Sequence, residues 1–120
     1  MIQIIKPTYG NLIATKASGK LTKEDYELIL PHLKELVENY SKIRWYFEMT
    51  PDFDGWDLEA AAKDLQFDIL HAQQLEKLAM VGDKKWENWL SDLMKPFTSA
   101  EVKYFENSQK DEAQVWIVKE

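Results

Sequence analysis

A chain of 120 residues, 45% hydrophobic and 30% charged, fits one soluble globular domain that can bury a core, and its composition excludes disorder. Fifteen Lys and Arg against 21 Asp and Glu leave a net charge of −6, so the field of the whole molecule repels phosphate backbones and argues against nucleic acid as a general partner. With no Cys there is no disulfide framework, thiolate zinc site or cysteine nucleophile, which suits a cytoplasmic, reducing setting.

The first seven residues lack the basic start, long apolar core and cleavage site of a signal peptide, and they read as a strand over 2–5 closed by Pro7. No apolar run approaches the roughly 18 residues of a membrane span. After Tyr9-Gly10-Asn11 a second strand over 12–17 ends at Ser18-Gly19. Thr22, followed by Glu24 and Asp25, opens a helix in which Tyr26, Ile29, Leu30, Leu33, Leu36, Val37 and Tyr40 form one apolar face. Pro31 is expected to kink or divide that helix, because it removes a donor and clashes with the Glu27 carbonyl.

Ile43, Trp45, Phe47 and Met49 alternate with Arg44, Tyr46 and Glu48, the period of a strand with unlike faces, and Thr50-Pro51-Asp52 stops it. Asp57 then caps a second helix with Leu58, Ala61, Ala62, Leu65, Ile69 and Ala72 inward. The continuous apolar run over 78–81, before Gly82-Asp83, predicts an interior strand covered on both faces. A third helix, capped by Asp83 and carrying Trp86, Trp89, Leu90 and Leu93, ends at Pro96. A last strand over 102–105 and a terminal helix with Ala113, Trp116 and Ile117 complete the order ββαβαβαβα.

This alternation predicts a single α/β domain over 1–120 with a mostly parallel sheet, an antiparallel first strand and about four helices. Ligands of such sheets sit beyond the carboxyl ends of the strands, so segments 18–22, 50–56, 82–85 and 106–110 are expected to converge there.

Several of these segments resemble one bacterial family. They are Ala17-Ser18-Gly19-Lys20-Leu21-Thr22 with Asp25-Tyr26, Phe53-Asp54-Gly55-Trp56, Val81-Gly82-Asp83-Lys84-Lys85-Trp86 with Trp89, Lys95-Pro96-Phe97, and Val102-Lys103-Tyr104-Phe105. In this order, across essentially the whole chain, they are similar to the SpoIIAA-like family. The resemblance implies a fold related to STAS domains and, more distantly, to the lipid-binding CRAL-TRIO domain. In anti-anti-sigma STAS domains the loop after the third strand carries a phosphorylatable serine just after an aspartate. Here that loop reads Asp52-Phe53-Asp54-Gly55-Trp56-Asp57, without a serine, so the resemblance implies a module lacking the phosphoserine switch.

Each candidate constellation has a plainer alternative. Gly82, Asp83, Lys84, Lys85 and Trp86 could hold a carboxylate or phosphate at a helix N-terminus, or form a capped junction with solvated lysines. Phe53, Trp56, Trp86 and Trp89 could line an apolar pocket or partner surface, or close the core. Gly55 is expected to take a positive φ or admit close backbone approach. Asp64, Asp68 and His71, at helical spacing, could present metal ligands, yet such a face is usually solvated. The paired carboxylates Asp52 and Asp54 could serve acid–base chemistry or simply be solvated. No serine lies in a Gly-x-Ser-x-Gly elbow, His32 has no evident catalytic partner, and nothing calls for a cofactor. Two functions lead: a regulatory module for a protein partner or self-association, and a carrier or sensor of a lipid-like, amphipathic anionic small molecule.

Overall fold

Five strands form the central sheet of the computed structural model, which describes residues 1–5, 9–56, 75–83 and 101–119. They are β1 (Ile2–Ile4), β2 (Leu12–Ala17), β4 (Ile43–Met49), β6 (Leu75–Gly82) and β7 (Glu101–Glu106), in the order β1-β2-β4-β6-β7. β1 runs antiparallel to β2, and the other neighbours are parallel. The expected sheet with an antiparallel first strand is therefore present.

The β1–β2 connection closes on reciprocal hydrogen bonds between Tyr9 and Leu12, each 3.0 Å, with Gly10 at φ 58° between them. A side chain disfavours that left-handed backbone, and glycine does not. Asn11 ties this turn to the entry of β4: its amide donates to the Lys42 carbonyl at 3.0 Å, and its own carbonyl accepts from Arg44 N–H at 2.9 Å.

Helix α1 (Lys23–Asn39) covers one face of the sheet with Ile29, Leu33 and Leu36, a spacing that keeps three residues on one side of a 3.6-residue turn. Beneath them lie Ile13, Ala17, Ile43, Trp45, Phe47, Met49, Leu78 and Met80. Thr15 is also buried here, and the Trp45 indole N–H satisfies its hydroxyl at 2.9 Å. Pro31 does not divide the helix. It lies on the exposed side, where water can serve the carbonyl that loses its partner, so the missing bond costs less than it would in the core. Tyr40 departs from the expected apolar face: it is the C-cap residue and is exposed. The side chains of Tyr26, Leu30 and Val37 lie outside those described.

A second α-helix, α2 (Lys110–Val118), follows a 3₁₀ turn (Asn107–Gln109) and covers the opposite face. It buries Ala113 and Ile117 against Leu12, Ala14, Tyr46, Ala79, Val81 and Phe105. Residues that alternate along β4 thus enter two separate cores, and even Tyr46 and Glu48 are buried. Two α-helices stand among the described residues rather than about four. The second and third expected helices, at 57–72 and from 84 onward, fall outside them, as do Asp64, Asp68, His71 and Trp89.

β6 is longer than its apolar run implied, starting at Leu75 rather than 78, with a register shift that sets Ile43 beside Leu75 and Arg44 beside Lys77. The charges that looked like a boundary have partners. Arg44 Nε lies 3.0 Å from Glu76 Oε2, while Arg44 Nη1 donates to the carbonyls of Ile117 (2.9 Å) and Lys119 (3.0 Å). Lys77 Nζ donates to the Lys119 carbonyl at 2.6 Å and lies 4.8 Å above the Trp116 ring. Two cations from the sheet therefore bind the last carbonyls of α2, the end at which a helix dipole favours positive charge. No described helix is long and apolar enough to cross a membrane.

Candidate functional site at the carboxyl edge

Because β2, β4, β6 and β7 are parallel, Ala17, Met49, Gly82 and Glu106 all end at one edge of the sheet. Two segments leaving that edge are joined by a feature absent from the sequence reading. β3 (Lys20–Leu21) and β5 (Gly55–Trp56) form a separate parallel pair, with Lys20 opposite Gly55 and Leu21 opposite Trp56. Backbone bonds extend the tie: Thr50 N–H donates to the Ala17 carbonyl at 2.9 Å, and Asp54 N–H to the Gly19 carbonyl at 2.8 Å. Gly19 at φ 59° and Gly55 at φ 103° make the reversals that bring the backbones together, as expected of Gly55.

The 50s loop divides its residues between core and solvent. Phe53 is only 2% exposed and belongs to the core beneath α1, with Leu21, Ile29 and Met49. It closes the core rather than lining an open aromatic wall, because the bond from its N–H to the Thr50 carbonyl (3.0 Å) turns the loop back over the sheet. Asp52 and Asp54 are exposed, and the Thr50 hydroxyl donates to Asp52 Oδ1. Trp56 is placed by β5, though its side chain lies outside those described.

On the β6 and β7 side, Gly82 is buried where a Cβ would lie 2.7 Å from Met49 Cε and 3.3 Å from the Tyr104 hydroxyl. The next residue, Asp83, is held twice: its carbonyl accepts from the Tyr104 hydroxyl, and its carboxylate from the Asn107 amide at 3.2 Å. Neither Tyr104 nor Asn107 was expected as an individual contributor, although Asn107 falls within segment 106–110, which was expected at this edge. Lys84, Lys85 and Trp86, the remainder of the possible anion site, lie outside the described residues. Among the described residues no group of three or more His, Asp or Glu could hold a metal.

Two further features, a buried cluster next to this edge and a groove at the other end of the sheet, gave no recognisable motif. The Tyr46 hydroxyl donates to Glu48 Oε1 at 2.8 Å under α2, and Lys16 Nζ lies 3.8 Å from Glu48 Oε2. At the amino end of the sheet, an open groove of about 510 Å³ lies between the β1–β2 turn and the last turns of α1, bordered by Tyr9, His32, Glu35, Leu36, Asn39 and Tyr40.

Among the described residues, a mixed sheet with an antiparallel edge strand, a helix on each face and connecting segments meeting at the carboxyl edge defines a layered α/β domain. Residues 12–118 match the SpoIIAA-like family, and the chain belongs to that family. Among solved structures it is similar to an uncharacterised protein of Shewanella loihica with a SpoIIAA-like fold, with 30% identity and a TM-score of 0.70. That likeness covers 98% of this chain and 92% of the Shewanella protein. No curated protein matches the chain.

Proposed function

We propose that this chain is a single-domain, cytoplasmic, non-enzymatic regulatory module that presents its carboxyl edge to a protein partner or to a second copy of itself. The observation that carries the reading is the division of the 50s loop. Phe53 anchors it in the core and backbone bonds tie it to segment 17–21, while Asp52 and Asp54 face solvent beside exposed Lys20. A loop fixed in this way loses little conformational entropy on association, which favours recognition by a stable charged surface. Membership of the SpoIIAA-like family supports a regulatory or interaction role. With no serine between Asp52 and Asp57, the loop works without a phosphoserine switch.

The test uses the Asp52→Lys/Asp54→Lys double variant, whose substitutions are exposed and leave Phe53 in place. Native mass spectrometry reads subunit number, and quantitative affinity capture from cells of the source organism reads partners. Loss of a reproducible partner, or of a dimer, in the folded variant is the expected result. An identical partner set and subunit number in both proteins would overturn the assignment of this edge.

A further inference from the structure

The groove at the amino end of the sheet is assigned no role by the fold. Its walls come from two elements that the backbone holds at fixed separation. On one side is the Tyr9–Leu12 turn, pinned by its reciprocal hydrogen bonds and by the two Asn11 bonds to the entry of β4. On the other is the carboxyl-terminal half of α1, whose Leu36 is seated in the core. At about 510 Å³ the groove falls within the size range of small-ligand sites. Tyr9, 87% exposed, makes little contribution to the core, so its ring is free of a packing role.

Three observations set the charge that this groove favours. Glu35 is among its lining residues, and no Lys or Arg is, among those described. The groove lies at the carboxyl end of a 17-residue helix whose last turn contains no basic residue, so the partial negative charge there meets no cationic side chain of that turn, only the neutral Asn39 amide, which donates to the Glu35 carbonyl at 2.8 Å. Tyr9 and Tyr40, one on each wall, offer aromatic faces, which attract cations through the ring quadrupole.

From these features we infer that the groove bounded by Tyr9, Glu35 and Tyr40 binds a small organic cation, an ammonium or guanidinium group attached to an apolar or aromatic body. The Glu35 carboxylate accepts its hydrogen bonds, the tyrosine rings flank the charge, and Leu36 meets the apolar part. The cation is either a free amine or the side chain of a polypeptide. This site lies at the opposite end of the strands from the proposed carboxyl-edge surface, so either assignment can fail without the other.

Amide NMR spectra of the ¹⁵N-labelled full chain, titrated with two cationic probes and one neutral probe, test the inference. Phenethylamine represents the free amine, acetyl-glycyl-arginyl-glycinamide the side chain on a polypeptide, and phenethyl alcohol is the neutral match of the first. The expected result is saturable shifts at Tyr9, Gly10, Glu35, Asn39 and Tyr40 with at least one cation, and none with the alcohol. Which cation produces them identifies the source. Glu35→Gln and Tyr9→Ala, both at exposed positions, should each weaken binding by about fivefold or more, the equivalent of losing one charge-assisted or cation–π contact. Equal response to amine and alcohol, shifts centred elsewhere, no shifts with either cation, or full binding by both variants would overturn it.

Discussion

The Tyr46 hydroxyl donates to Glu48 Oε1 at 2.8 Å, two positions along the same strand, where α2 covers both side chains. Glu48 is only 7% exposed, and its other oxygen lies 3.8 Å from Lys16 Nζ. Burial, followed by the hydrogen bond to Glu48, pushes the Tyr46 hydroxyl well above the ordinary tyrosine value of 10.0. The folded state therefore holds this proton more tightly than the unfolded state, and the associated stability is complete below pH 10 and is lost as pH rises beyond it. In Tyr46→Phe, denaturant titrations should show about 1–3 kcal/mol less stability at neutral pH, because a buried carboxylate loses its donor. The variant should also lack part of the alkaline decline.

The clamp on α2 gives a second expectation. Arg44→Met removes hydrogen bonds to the Ile117 and Lys119 carbonyls as well as the contact with Glu76. It should cost about 1.5–3 kcal/mol, the range for hydrogen bonds to charged groups. Lys77→Met should cost less, about 0.3–1 kcal/mol, as a cation lost from a helix C-terminus. Hydrogen exchange should accelerate first in α2 for both variants, with β2 and β4 retaining their protection.

Asp25 titrates in the opposite sense to Tyr46. Burial raises its carboxyl pKa, but the Thr22 N–H at 2.9 Å, the Thr22 hydroxyl at 3.1 Å and the terminal ammonium outweigh that effect and hold it below 3.8. Its stabilisation is thus present above pH 3.8 and disappears as pH falls through the lower, folded-state value. Asp25→Asn should cost about 0.5–2 kcal/mol at neutral pH, as expected for a lost capping interaction, and approach wild type in acid. Urea denaturation across the acid range would measure this convergence.

Gly82 reports on packing at the carboxyl edge. A methyl group there meets the flexible end of Met49 at 2.7 Å, but also the Met49 Cβ and the Tyr104 hydroxyl at 3.3 Å. Gly82→Ala should therefore destabilise the protein by about 1–3 kcal/mol, the usual cost of overpacking. Combining it with Met49→Ala should give a smaller loss than the sum of the single changes, and a double-mutant cycle by chemical denaturation would read that coupling.

Periodicity made the five-stranded sheet, the Thr22 helix start and the core residues of α1 and β4 legible. Hydrophobic alternation records which face of an element is covered, and Ile43, Trp45, Phe47 and Met49 record it without interruption. Leu75-Glu76-Lys77 hid the start of β6 because its charges find distant partners in Arg44 and α2, contacts that local pattern does not encode. The β3–β5 pair was hidden for a related reason. Two residues are too few for any period, and their pairing depends on backbone atoms of Gly19 and Gly55 more than on side-chain type. At the candidate site, convergence at the carboxyl edge followed from topology. The burial of Phe53 did not, since an aromatic among aspartates is compatible with either core or surface until the loop's path is known.

The strand order also governs how this protein assembles in time. Among the described strand pairs, β1–β2 alone joins neighbouring stretches of chain, and every later pair must close across a crossover. The loop entropy of those closures has to be overcome before the parallel ladders return any stabilisation, so refolding should be slower than for a helical bundle of the same length. β4 meets both β2 and β6, placing the slowest-won contacts at the centre of the molecule and leaving the early hairpin at its rim.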